Sequence, residues 1–438
     1  MPKHVNQLGA ALAVALAPGL LAACAGDVIN LGEREDEVAV PAYSRCQSST
    51  TLEGSVRVES QEQLDALEGC KVIAGDFDVV AYPAADLRAL NALTRVEGYV
   101  QIGGHLPVRD ENDGLTLEEW WAQHDAYEAS IVDWLPSLEG LERLESVDSL
   151  IVKASVPSLQ PLSGLRRINT GLLQVSSNVL ESLAGLEHLR GIESLSIDGA
   201  ELRDVSALRL PETMGSLLVH APIDALDAAE LKQLLSLDLA YTELENLDVF
   251  SSLENVDRVS IVGNARLRDM AGFDGVNTIG DLFLQGNAAL ERMGDFASLT
   301  SIGRVQIADN DSLSELPRLP NYYQQDELLS GDGRPRIDVD EVELRGNASL
   351  RHLVIPAVWY TANTLRIIDT QVDTIDFVNL QSVGTLIVTS NPALTEVNLG
   401  ALSRAAYLEV RKNDALPPTA FDGVRSLETH IERNAPPP

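Results

Sequence analysis

The chain has 438 residues, 66 of them acidic and 32 basic, for a formal net charge of −34 and a sequence pI near 4.4. That excess of negative charge opposes contact with nucleic acid and with anionic membrane surfaces, so neither is an expected partner. Three cysteines and seven scattered histidines provide no His/Cys cluster for a metal, and no cofactor is expected.

Residues 1–23 read as an export signal: Lys3 and His4 precede an apolar run from Leu8 that Pro18 and Gly19 interrupt, too short for a membrane span. The run closes on Leu21-Ala22-Ala23-Cys24, which resembles a bacterial lipobox. By that resemblance Cys24 becomes the diacylated first residue of the mature protein, with palmitate-type chains anchoring it in a membrane. An ordinary signal peptide cleaved near Ala23, or a buried thiol at Cys24, is the alternative. Ala25 follows where an aspartate would favour inner-membrane retention, so the outer membrane or cell surface is expected. Residues 24–44 carry Glu33, Arg34, Glu35, Asp36 and Glu37 with little apolar content, the composition of a flexible acidic tether.

Cys46 and Cys70 are the remaining thiols. In an exported chain they predict one disulfide, worth roughly 3.5 kcal/mol on a chain-entropy estimate. A reduced pair is the alternative.

Between residues 45 and 434 an apolar–x–apolar pair returns sixteen times, from Val56/Val58 to Thr429/Ile431, usually every 20 to 23 residues. A short strand with two inward side chains cannot bury itself, so each unit needs the coils above and below it. The prediction is a mainly β, right-handed β-helix-like or leucine-rich-repeat-like solenoid of about 16 coils, with a parallel sheet and a helical insertion. Two stretches interrupt the period, about 105–148 and 311–340. In the first, Thr116-Leu-Glu-Glu119 has capping-box form ahead of a stripe with Leu117, Trp120, Trp121, Tyr127, Ile131 and Trp134, an amphipathic helix. It either docks on the solenoid or offers an aromatic surface to a protein or carbohydrate.

Three residues after the second core position come Asn178, Asn264, Asn287, Asn310, Asn347, Asn391, Asn413 and Asn434. Their repeated phase predicts an inward ladder of amides serving backbone groups at the turn. Ala200, Pro222 and Thr242 hold that place mid-chain, where the spacing falls to 20, so a junction between two subarrays is expected near 200–245. In the second interruption, Tyr322, Tyr323, Asp326, Glu327, Asp332, Asp338 and Asp340 read as an acidic loop. Its carboxylates, and Asp110-Glu-Asn112-Asp113-Gly114, make calcium a candidate, yet neither stretch completes a calcium motif. The last residues, 435–438, cannot extend the stack because proline lacks a ladder donor.

Outward strand positions Phe283, Gln285, Gln306, Glu343, Arg345 and Arg366 fall on neighbouring coils and are the candidate binding face, against the bland alternative of a solvated sheet. There is no Gly-x-Ser-x-Gly elbow and no phosphate-binding loop, and acids are too numerous to single out a catalytic pair. No enzymatic activity is expected.

The first coils resemble the receptor L-domain family. Leu52-Glu-Gly54-Ser-Val56-Arg-Val58, Ile73-Ala-Gly75-Asp-Phe77-Asp-Val79 and Val96-Glu-Gly98-Tyr-Val100-Gln-Ile102 repeat one phrase, and Cys46 precedes the first. The resemblance is fainter after the third coil. It implies an extracellular recognition scaffold, but the array has more coils than one such domain and no cysteine-rich module follows. The reading from sequence is a non-catalytic, lipid-anchored envelope protein that binds a protein or glycan. A passive spacer and a β-helical carbohydrate-active enzyme are the rivals.

Overall fold

The structure is a computed structural model; it describes residues 46, 50–80, 86–103, 135, 137–317, 337–355, 359–377 and 380–432. The chain divides into two compact units, Met1–Glu37 and Val38–Pro438, and every described residue lies in the second. Cys24, Trp120, Trp121, Tyr127, Trp134, Asn434, the Asp110–Gly114 run and most of the second acidic stretch lie outside the described residues.

The second unit is a parallel β-solenoid. All sixteen apolar–x–apolar pairs fall on strands of one sixteen-stranded sheet, which runs from Val56–Val58 at one edge to Arg425–Ile431 at the other. Each pair sits directly opposite the next: Val259 and Ile261 face Leu282 and Leu284, which face Val305 and Ile307. The array makes about 14 turns, a little fewer than the coils expected.

Away from this sheet the inward period changes from two to three. Leu267, Met270, Phe273, Val276 and Ile279 lead into Leu282 and Leu284, and none of the seven is more than 1% exposed. A step of three suits a chain turning corners in short 3₁₀ segments such as Ala271–Phe273, whereas a step of two belongs to the strand. With a residue committed inward at every third position, a coil has no length left for a helix. Among the described residues the one α-helix is Gln61–Asp65, held by a Ser60/Gln63 capping box. Its coil also carries the Cys46–Cys70 bond, with Cα atoms 5.2 Å apart.

Two smaller parallel sheets form on other sides of the coils. One joins Thr51–Glu53, Val72–Ala74, Arg95–Val96, Ser146–Val147 and Arg167–Ile168; the other joins His352–Ile355, Thr374–Phe377 and Glu396–Asn398. Coil packing also reaches into both predicted interruptions, where Leu138, Leu141, Leu144, Val147 and Leu313 are fully buried. Across residues 200–245 the strands Ser194–Asp198, Thr213–His220, Gln233–Ala240 and Asn255–Val262 pair without a register shift.

The amide ladder is present from Thr242 onward. Asn264, Asn287, Asn310, Asn347, Asn391 and Asn413 are at most 1% exposed. The Asn264 N–H donates to Asn287 Oδ1 at 3.0 Å, and Asn287 Nδ2 donates back to the Ile261 carbonyl at 2.8 Å. Thr242 and Thr370 each begin a run, their N–H and hydroxyl donating to the Oδ1 of Asn264 and Asn391. The residue ahead of each ladder position is left-handed, with φ between 52° at Lys412 and 68° at Gly286.

Asn178 is a correction: it is exposed. Its turn lacks the left-handed residue and is one residue shorter than the asparagine turns, with five steps from Val175 to Leu180 against six from Ile261 to Leu267. Ser177 takes the inward place instead, its hydroxyl donating to the Val156 carbonyl at 3.2 Å.

Candidate recognition face

A residue between two inward strand positions points away from the core. Phe283 therefore stands opposite Gln306, Gln306 opposite Glu343, and Glu343 opposite Arg366, giving a continuous outward row at strand spacing, about 4.8 Å per step. In the adjacent row Gln285 faces Ala308, which faces Arg345. All six predicted residues thus share one face. Arg345 is exposed and the other five are half-buried.

The row on the other side holds Asp281, Arg304 and Glu341 in register. Arg304 Nε lies 3.3 Å from Glu341 Oε2, Arg304 Nη1 lies 3.9 Å from Asp281, and Arg366 pairs with the same Glu341. Arg366 is therefore committed within the sheet. Arg345 has no side-chain partner among the described residues, which leaves it as the cation on this patch able to meet a ligand.

Farther along the same sheet is a titrating group that the sequence pattern did not single out. His220 stands opposite Asp198, and its Nε2 lies 3.4 Å from Asp238 Oδ1 on the next strand, within ion-pair reach though not aligned as a hydrogen bond. The Asp238 carboxylate, with Asp198 adding to it, raises the His220 pKa against the lowering effect of burial. Burial raises the Asp198 carboxyl. Phase arithmetic would have found the pair, because Asp198 and His220 each follow the second core residue of consecutive strands, Ile197 and Val219.

Among the described residues no group of three or more His, Cys, Asp or Glu side chains is placed to hold a metal ion. No protein-family model matches the chain, and no curated protein does either.

Proposed function

We propose that this chain is a lipid-anchored cell-envelope module, of receptor L-domain type, that recognises a protein or glycan through the outward face of its long sheet and carries out no reaction. The observation that supports this reading is the register that puts Phe283 beside Gln306, Glu343 and Arg366, with Arg345 in the next row. A half-buried aromatic ring among amides and charges offers a stacking or packing platform with polar groups at its rim. The anchor rests on Leu21-Ala22-Ala23-Cys24, and display at the outer membrane or surface on Ala25.

The test is glycan-array and envelope pull-down profiling of the purified protein beside Phe283→Ala and Arg345→Ala. Selective binding weakened by about 30-fold in Phe283→Ala, the size of an interface hot spot, is the expected result. A folded protein that binds nothing selectively would make it a passive spacer, and turnover of a polysaccharide would make it an enzyme.

A further inference from the structure

One corner of the solenoid is open. Just ahead of the long sheet, each coil sends a backbone N–H back to the coil before it: Arg166 to the Glu145 carbonyl, Arg190 to Arg166, Lys232 to Glu212 and Glu254 to Lys232. This run breaks between Arg190 and Glu212, and among the described residues no backbone hydrogen bond joins 190–192 to 209–212. The Arg190 carbonyl instead accepts from the Ile168 N–H at 3.1 Å, and Pro211 has no N–H to offer. The residue ahead of each donor is a buried leucine, Leu165, Leu189, Leu231 or Leu253; ahead of Glu212 it is Pro211, half-buried. Between the two coils lies a cleft of about 250 Å³ whose lining includes Arg190, Ile192, Arg209, Leu210, Pro211 and Glu230.

Its floor is apolar and its rim charged. Ile192 and Leu210 are buried, whereas Arg190, Arg209 and Glu230 are exposed. Arg190 is held by its own turn, Nη1 donating to the Leu189 carbonyl at 2.7 Å and to the Glu187 carbonyl at 3.4 Å. That leaves its Nε–Nη2 edge, the geometry that takes a carboxylate in two parallel hydrogen bonds. The Arg209 and Glu230 side chains have no hydrogen-bond or ion-pair partner among the described residues. The other acids nearby are engaged elsewhere. Glu212 pairs with Lys232 at 3.4 Å, Glu187 accepts from the Gly185 N–H, and Glu193 lies against Gly171 of the preceding coil. Two guanidiniums call for an anion, Glu230 beside them for hydroxyl donors on the same molecule, and the aliphatic floor for a ring face. A phosphate dianion would meet Glu230 with like charge.

We infer that this cleft binds an acidic sugar residue, a uronate whose carboxylate lies between Arg190 and Arg209, whose hydroxyls donate to Glu230 and whose ring covers Ile192 and Leu210. At about 250 Å³ it falls below the sizes that enclose drug-like molecules, which suits one ring with its substituents. The site is on a coil corner, apart from the outward rows of Phe283 and Arg345, and the inference is independent of any ligand there.

Saturation-transfer-difference NMR of the full-length protein in a mild non-ionic detergent, with sodium glucuronate and galacturonate as probes, tests it. The wild type is expected to give a saturable signal from the ring protons that glucose, lacking the carboxylate, does not match. Arg209→Ala should weaken binding about tenfold, and Arg404→Ala, the same charge change on a distant strand, should leave it unchanged. Pro211→Leu supplies the leucine and the N–H of the other coils and should abolish the signal without lowering Tm. No saturable signal in the wild type would overturn the inference, as would equal affinity in Arg209→Ala or an equal signal from glucose. Displacement of the uronate by acetate or inorganic phosphate at equal concentration would overturn it too, by marking an unselective anion patch. If Pro211→Leu fails to fold, Arg209→Ala against Arg404→Ala decides alone.

Discussion

Two asparagines separated by their turns make the sharpest comparison at the residue scale. Asn287 is fully buried; its Oδ1 accepts from the Asn264 N–H, and its Nδ2 donates to the Ile261 carbonyl. Replacing it with alanine leaves both backbone groups buried and unpaired, each at about 1–3 kcal/mol. Asn287→Ala should therefore destabilise the protein by about 3 kcal/mol in denaturant titration. Asn178, of identical type and identical phase, lies exposed, and Asn178→Ala should change stability by less than about 0.5 kcal/mol. Equal losses in the two variants would refute the assignment of ladder membership. Residue type and phase alone do not separate them; the left-handed residue ahead of the amide does, and it is Gly286 before Asn287 but Ser177, without positive φ, before Asn178.

Corners and strands differ in how tightly neighbouring elements approach. At the 3₁₀ turn Ala271–Phe273 a Cβ built on Gly272 would sit 1.8 Å from the Leu247 carbonyl oxygen, and on Gly275 the nearest atom is 3.3 Å away. Leu247 begins the corresponding corner of the coil before, so neither backbone can retreat without shifting the packed Phe250 and Phe273 rings, whose centroids are 6.0 Å apart. Gly272→Ala should cost about 2 kcal/mol, within the range for overpacked cores, and Gly275→Ala distinctly less; a chemical-denaturation series on both checks this. The strands of the long sheet were legible in sequence because a period of two with a fixed return length fits little besides stacked strands, whereas those of the two smaller sheets were not. The corners were not. Leu267, Met270, Phe273, Val276 and Ile279 recur every third residue, a spacing that overlaps the helical one, and only stacking in space shows that they face a shared core. The candidate face was legible to the same extent as the strands, since its six residues follow from strand phase, whereas the commitment of Arg366 to Glu341 depends on a side-chain choice among several nearby acids.

For the solenoid as a whole, stability is carried by contacts between neighbouring coils, so opening should begin where a coil has a neighbour on one side alone. The two ends are not equivalent in this respect. The loop closed by Cys46 and Cys70 spans a sequence separation of 24, and the cross-link is worth about 3.5 kcal/mol on the chain-entropy estimate. At the far end, Thr429 stands where other coils bury an aliphatic residue, and the strand Arg425–Ile431 is largely exposed along its length. Hydrogen exchange should show the strand Arg404–Arg411 exchanging faster than Thr278–Gln285, with the coils of Val56–Val58 and Phe77–Val79 protected nearly as well as the middle. Reducing the disulfide should then speed exchange in those first coils while leaving Thr278–Gln285 unchanged. Uniform acceleration along every strand would mean that the array opens as a single cooperative unit, and coil-by-coil coupling would have to give way to a global transition.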